Sequence, residues 1–78
     1  MSSRETLEFV VSYLVQNPND VRIEEEESGR TIMYDLFVHP DDVGKVIGRQ
    51  GRIARALRTL VRAGAARTRE RVHLEIAD

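Results

Sequence analysis

The sequence predicts an α+β fold with the element order helix, strand, strand, helix, helix, strand. Three observations predict it: an amphipathic helical pattern near the amino terminus, three runs in which apolar and polar residues alternate, and a GxxG motif between two further helical patterns. A chain of 78 residues is long enough for one domain with one small core. We therefore expect residues 1–78 to form a single domain.

The first helix is predicted by four apolar residues with the i, i+3, i+4, i+7 spacing of one helical face, which are Leu7, Val10, Val11 and Leu14. Ser2 is followed three residues later by Glu5, and this spacing favours a capping box at the start of the helix. Proline interrupts a helix, so the pair Asn17-Pro18 should end it.

A β-hairpin should follow this helix. Val21 and Ile23 alternate with polar residues, Ser28-Gly29 is a turn signal, and a second alternating run extends from Arg30 to Val38. Because the second run has apolar residues on both faces, we expect it to be the central strand. One face carries Ile32, Tyr34, Leu36 and Val38, and the other carries Met33 and Phe37. We interpret Tyr34 and Phe37 as core residues.

A short second helix is predicted to start at Pro40, because proline suits the first helical position. Asp41 and Asp42 then lie at the positive end of the helix dipole. Its apolar side consists of Val43, Val46 and Ile47. Gly48 can adopt the left-handed conformation that closes a helix.

A third helix should begin around Gly51 and have two chemically different faces. The predicted packing face carries Ile53, Leu57, Leu60, Val61 and Gly64, and the opposite face carries Arg52, Arg55, Arg58 and Arg62. A final strand is predicted where Val72, Leu74 and Ile76 alternate with polar residues.

Charge is divided unevenly along the chain, although the net charge is only -1. From Gly44 to Arg71 there are nine basic residues and one acid, Glu70, whereas the rest of the chain has three arginines and twelve acids. Phosphate groups respond to the local field of a patch, because salt screens distant charges within roughly 8 to 10 Å. The basic segment is therefore compatible with an anionic partner despite the neutral average.

Composition argues against several other classes of protein. The chain has no cysteine, which excludes disulfides and thiolate chemistry and fits a reducing compartment. We find no apolar run of membrane-spanning length and no signal-peptide pattern at the amino terminus. We expect a cytoplasmic protein that does not engage a membrane.

The residue pattern also offers little for catalysis, a metal or a cofactor. His39 and His73 have no nucleophile or carboxylate partner at a recognisable spacing. Gly44-Lys45 is followed by Val46 and is therefore not a phosphate-binding P-loop. The run Glu24–Glu27 should be a solvated strand end, because neighbouring strand residues point to opposite faces. We expect no catalytic residues, no metal and no cofactor.

The most informative segment is Val46–Ala54, which reads VIGRQGRIA and contains the GxxG motif. Glycines allow the main chain to approach a phosphate closely, helix-start N–H groups can act as donors, and arginine supplies positive charge. This combination favours a grip on a nucleic-acid backbone.

This segment resembles the VIGxxGxxI signature of the K-homology (KH) domain, and the element order is similar to the type II arrangement of that family. Over its whole length the chain resembles the small stand-alone bacterial KH proteins of the KhpA family. The resemblance implies a type II KH fold (α-β-β-α-α-β), with a three-stranded mixed sheet and three helices on one face. It also implies that the GxxG loop clamps single-stranded RNA of about four nucleotides.

Carried over to this chain, the resemblance implies a phosphate clamp at Gly48, Arg49, Gln50 and Gly51, with Lys45 and Arg52 beside it and Arg55 one turn further along. Val46, Ile47 and Ile53 occupy the apolar positions of the signature and are expected either in the floor of the RNA groove or in the core. The resemblance further implies an RNA chaperone or post-transcriptional regulator.

An alternative is a protein-interaction module whose GxxG loop is structural. The resemblance implies a homodimer, or a heterodimer with a larger KH protein of the Jag or EloR type. A small core makes association plausible, because a partner would bury apolar surface that the monomer leaves exposed.

Overall fold

A computed structural model describes residues 2–78 of the chain. Its three α-helices are α1 (Ser3–Leu14), α2 (Val43–Ile47) and α3 (Arg52–Ala65). Its three strands are β1 (Arg22–Ser28), β2 (Thr31–Phe37) and β3 (Arg71–Ile76). Short 3₁₀ turns lie at Pro18–Asp20, Pro40–Asp42, Arg49–Gly51 and Ala66–Thr68. The predicted order of helices and strands is confirmed.

The sheet is mixed, with the strand order β1-β2-β3. β1 pairs with β2 in antiparallel register, from Arg22 opposite Phe37 to Ser28 opposite Thr31. β2 pairs with β3 in parallel register, from Thr31 beside Arg71 to Leu36 beside Ile76. The prediction that the second strand is central is therefore confirmed, and the free edges belong to β1 and β3.

The helices pack against one face of the sheet, and the core lies between the two layers. The helices contribute Leu7, Val11, Val46, Leu57, Val61 and Ala65, and the strands contribute Ile23, Ile32, Tyr34, Leu36, Val72 and Leu74. The alternate strand residues face away from the helices. Phe37 is one of these, so its assignment to the core is wrong: its ring is half-buried under the Arg22 guanidinium, which lies 4.2 Å from the ring centroid.

The start of α1 follows its sequence signal. The Ser2 hydroxyl accepts a hydrogen bond from the Glu5 N–H at 3.1 Å, and the Glu5 carboxylate accepts one from the Ser2 N–H at 3.2 Å. This reciprocal capping box is the one predicted from the spacing. The helix ends at Leu14, three residues before the predicted Asn17-Pro18 boundary.

The buried face of α3 is rotated relative to the prediction. Ala54, Leu57, Val61 and Ala65 face the core, whereas Leu60 is 39% exposed. The prediction is therefore wrong for Leu60. Gly64 does lie at a packing contact, because a β-carbon there would be 3.2 Å from the Ser3 Cα of α1. Small residues at Ala54 and Ala65 allow α3 to approach its neighbours closely, and alanines contribute little to a hydrophobic pattern.

Candidate nucleic-acid interface

Gly48 connects α2 to the loop with a backbone conformation that only glycine adopts readily. Its φ of 76° and ψ of 172° lie in the region that side chains exclude. A β-carbon there would overlap the Ile53 side chain and lie 2.9 Å from the Ile53 N atom. The predicted positive φ is confirmed, but the extended ψ means that Gly48 is not a left-handed helix cap.

The left-handed residues of the loop are instead Gln50 (φ 57°, ψ 24°) and Gly51 (φ 72°, ψ 17°). Two consecutive residues in this conformation turn the chain from α2 into α3, and the Gly51 N–H donates to the Gly48 carbonyl at 3.1 Å. A left-handed glutamine is energetically unfavourable by roughly 1–2 kcal/mol. Such strain is common at functional sites because the surrounding structure must impose it.

Two main-chain donors of the loop have no partner within the part of the chain that the structure describes. The Gly48 N–H donates to the Gly44 carbonyl at 2.9 Å, and the Arg52 N–H donates to the Arg49 carbonyl. No hydrogen bond from the N–H of Arg49 or Gln50 is present among residues 2–78. These adjacent amides, at the start of a helical turn, are suitable donors to an anionic oxygen.

The arginines of the interface are exposed and available to a ligand. Arg49, Arg52 and Arg55 all reach solvent, and within residues 2–78 none of them is in a salt bridge. In the described part of the chain, the one hydrogen bond made by a side chain of these arginines joins the Arg52 Nη2 atom to the Gln50 Oε1 atom at 3.2 Å. Their positive charge is therefore not neutralised by a neighbouring carboxylate.

Lys45 differs from the arginines because its ammonium is already engaged. The Lys45 Nζ atom lies 3.2 Å from the Asp42 Oδ1 atom. Asp42 is fully buried, and its carboxylate also accepts from the N–H groups of Gln16 and Asn17 and from the Asn17 side-chain amide. This carboxylate therefore joins the segment after α1 to the start of α2.

The hydrogen bonds to Asp42 determine its ionisation. Burial alone would raise the pKa of this carboxyl, but the hydrogen bonds from Gln16, Asn17 and Lys45 outweigh burial and lower the pKa to about 2 from an ordinary value of 3.8. Sequence reasoning assigned Asp42 to the helix dipole and missed this role. Two of its partners, Gln16 and Asn17, are 26 and 25 residues away, so no local pattern could have revealed them.

The apolar residues of the signature occupy different depths. Val46 is completely buried and belongs to the core, so its side chain supports the loop from below. Ile47 and Ile53 are half-buried and retain some exposed surface. Of the two expectations for this set, the core interpretation fits Val46, whereas Ile47 and Ile53 lie at the boundary between core and solvent.

The basic flank of α3 extends from the loop towards β3. The Arg58 Nε atom donates to the Leu74 carbonyl at 3.2 Å, which attaches the helix to the free edge of β3. Arg55 and Arg62 are exposed on the same flank. The helix thus presents a cationic surface beside the open edge of the sheet.

Within residues 2–78, no group of three or more histidine and acidic side chains could hold a metal ion. No helix in the same range has the length and apolarity needed to cross a membrane.

Comparison with known proteins gives a consistent family assignment. The family model described as "KhpA/KhpB, KH domain" matches residues 4–76. The RNA-binding protein KhpA of Halalkalibacterium halodurans is 49% identical over 72 residues, which cover 92% of this chain and 95% of the relative. The RNA-binding protein KhpA of Borreliella burgdorferi is 49% identical over 74 residues, which cover 95% of this chain and 90% of the relative. The RNA-binding protein KhpA of Clostridium perfringens is 44% identical over 73 residues, which cover 94% of this chain and 97% of the relative. No solved structure gives a significant match.

Proposed function

The chain belongs to the KH-domain family of KhpA and KhpB, and on this premise we propose that it binds single-stranded RNA by gripping the sugar-phosphate backbone at the Gly48–Gly51 loop. The observation that carries the proposal is the pair of unbonded N–H groups at Arg49 and Gln50 within residues 2–78. The names of the relatives support RNA as the ligand and describe no catalytic activity.

In this mechanism a phosphate oxygen accepts hydrogen bonds from the Arg49 and Gln50 amides. Gly48 allows the turn of the backbone that precedes these amides, and the guanidinium groups of Arg49 and Arg52 add charge-assisted contacts. Arg55 extends the attraction one turn along α3. Ile47 and Ile53 would border the bases of a segment of about four nucleotides. Lys45 contributes mainly through its bond to Asp42, which supports α2.

We further propose that the protein acts as an RNA chaperone or post-transcriptional regulator in the cytoplasm, where its RNA ligand would be present. Few groups are available to read base edges, so modest affinity and low sequence selectivity are expected of the isolated domain. If about three phosphates are neutralised, the logarithm of the association constant falls against the logarithm of salt concentration with a slope of about -2.

The sharpest variant for testing the clamp is Gly51→Asp. A β-carbon at Gly51 meets only the Arg55 Nη1 atom at 3.8 Å, and aspartate tolerates the left-handed conformation better than most residues. The variant should remain folded while placing a negative charge beside the phosphate. Fluorescence anisotropy with a labelled single-stranded RNA should show at least a tenfold loss of affinity.

The control is Arg22→Asp, which introduces the same residue at an exposed position at the start of β1 and changes the net charge by two units, against one for Gly51→Asp. It should bind RNA nearly as well as the original chain. Circular dichroism would establish that both variants are folded. If folded Gly51→Asp retains full affinity, or if binding is independent of salt, the clamp proposal is wrong.

A second function, self-association, is favoured by the exposed Leu60. It lies on a flank of α3 next to the exposed small residues Ala56 and Ala63, opposite the basic flank. Two copies of this flank could meet around a twofold axis, because small residues let two helices approach while the leucines are buried. We propose a homodimer, and a larger KH protein of the Jag or EloR type could present an equivalent helix to form a heterodimer.

Sedimentation equilibrium of the original chain and of Leu60→Glu tests this second proposal. We expect a dimer that becomes monomeric when a charge replaces Leu60. A chain that is monomeric at all concentrations, or a variant that remains dimeric, would refute an α3-mediated dimer without affecting the clamp.

A further inference from the structure

Arginines also accumulate at the end of α3 that lies away from the GxxG loop. We call Arg30, Arg62, Arg67, Arg69 and Arg71 the distal arginine cluster. All five are exposed, and within residues 2–78 none is in a salt bridge with a carboxylate. They come from the β1–β2 turn, the end of α3, the turn after it and the start of β3, so the fold assembles them from four segments.

Two contacts show how these segments converge. The Arg71 N–H donates to the Arg30 carbonyl at 2.7 Å, which places the start of β3 against the hairpin turn. Arg62 and Arg71 line the same cleft of about 320 Å³, together with Glu70, Val72 and His73. The cleft therefore lies at the start of β3 and is lined by one arginine of α3 and one of β3.

The only carboxylate in this cleft is directed into a local contact. The Glu70 Oε1 atom lies 2.7 Å from the Thr68 hydroxyl, which is also 2.9 Å from the Ala65 carbonyl. This arrangement ties Glu70 to the turn after α3, and within residues 2–78 it forms no salt bridge with an arginine of the cluster. A cluster of like charges with no structural partner is unfavourable for folding, which argues for an external anion.

The backbone of the turn adds an independent observation. Arg69 has φ 59° and ψ 23°, a left-handed conformation that costs an arginine roughly 1–2 kcal/mol. Within residues 2–78 the only non-glycine residues with positive φ are Gln50 and Arg69, one at each end of α3. The structure thus imposes the same kind of strain at the proposed clamp and at the distal cluster.

We propose that the distal arginine cluster is a second phosphate-binding site, which contacts RNA flanking the segment held by the GxxG loop. This inference rests on the proposed function and extends it. The two sites are separated by the length of α3, 14 residues or about 20 Å. The exposed Arg55 of the basic flank lies on α3 between them. Continuity of positive charge favours a polyanion with regularly spaced phosphates over an acidic peptide.

The test compares a four-nucleotide and a twelve-nucleotide single-stranded RNA of the same base composition. Only the longer oligomer should reach both sites. In Arg71→Ser, affinity for the twelve-nucleotide RNA should fall about fivefold at 0.1 M salt, and the salt slope should become shallower by about 0.7, the single-strand value for one phosphate contact. The double variant Arg62→Ser with Arg71→Ser should change the slope by about 1.4. Neither variant should alter binding of the four-nucleotide RNA.

Arg22→Ser is the matched control. Arg22 and Arg71 are exposed arginines on the two edge strands and on the same sheet face, because they pair with Phe37 and Thr31 of β2. These two positions are six residues apart along β2, or about 20 Å. Arg22→Ser removes the same charge and should leave binding of both RNAs unchanged.

The outcomes separate this inference from the clamp proposal. Equal affinity of Arg71→Ser and Arg22→Ser for the longer RNA would overturn the second site while leaving the clamp intact. Failure of the four-nucleotide RNA to bind the original chain would overturn the clamp, and with it this extension. If a hexaglutamate peptide shifts the Arg71 amide resonance and the longer RNA does not, the cluster binds protein and the inference is wrong.

Discussion

Alanine at the two loop glycines should have unequal effects on stability. At Gly51 the β-carbon is unobstructed, so the cost is that of a left-handed alanine, about 1–2 kcal/mol. At Gly48 the backbone strain of about 1–3 kcal/mol is joined by overpacking against Ile53, which costs about 1–3 kcal/mol more. We therefore expect Gly48→Ala to lower the free energy of unfolding by about 2–6 kcal/mol.

Such a loss approaches the whole stability of a small domain, which is about 4–12 kcal/mol at 0.05–0.15 kcal/mol per residue. Urea denaturation followed by circular dichroism measures both variants, and trimethylamine N-oxide can restore folding if Gly48→Ala is unfolded in buffer. Gly51→Ala is the matched control, because it makes the same substitution in the same loop.

A double-mutant cycle isolates the steric part of the effect. Ile53→Ala removes the Cγ1 atom that the new β-carbon would overlap most, so it should be less damaging in the Gly48→Ala background than alone, with a coupling energy of about 1–3 kcal/mol. The close approaches to the N and Cβ atoms of residue 53 would remain, so rescue should be incomplete. Equal losses of unfolding free energy for Gly48→Ala and Gly51→Ala would refute the reasoning. Additive losses for Gly48→Ala and Ile53→Ala in the double variant would refute it as well.

Three further predictions concern local energetics. Gln50→Gly removes left-handed strain of about 1–2 kcal/mol and adds an entropic cost of about 0.5–1 kcal/mol. The midpoint of its urea denaturation should therefore rise, and a lower midpoint would contradict the left-handed conformation of Gln50. Because the folded pKa of Asp42 lies below its ordinary value, its stabilisation is present above pH 3.8 and lost towards pH 2. Asp42→Asn should therefore have a lower melting temperature than the original chain at pH 7, and the difference between the two melting temperatures should become smaller in acid. A difference that stays constant with pH would contradict this prediction. Tyr34→Phe leaves the buried Ser3 hydroxyl without its 2.9 Å partner and should cost about 1–3 kcal/mol in thermal unfolding, whereas adding Ser3→Ala should recover part of the loss.

The sequence predicted the elements whose signals are local. The capping box at Ser2 and Glu5 and the alternation of Val72, Leu74 and Ile76 each depend on residues a few positions apart. The mixed sheet could be inferred only from the family resemblance, because nothing in the alternation of β3 specifies which strand it pairs with. The resemblance and the local patterns together gave the correct topology.

The features that sequence reasoning missed depend on distant contacts. The exposure of Leu60 follows from the rotation of α3 that places Ala54 and Ala65 against the core. The burial of Asp42 depends on hydrogen bonds from the segment after α1. The left-handed Gln50 had no signal either, because glycine or asparagine would normally mark that conformation. In each case tertiary packing determines the exposure, the burial or the backbone conformation of the residue.

Contacts within the protein hold the loop in its observed conformation. Val46 is completely buried beneath it, the Gly48 N–H is bonded to α2, and Gly48 lies against Ile53 at the start of α3. Binding RNA would therefore require little ordering of the loop, and the main entropic cost would fall on the RNA strand. Modest affinity would then reflect the small number of contacts rather than loop flexibility. Additional phosphate contacts at the distal arginine cluster would raise affinity without any change in the loop, which is why the length of the RNA is the decisive variable.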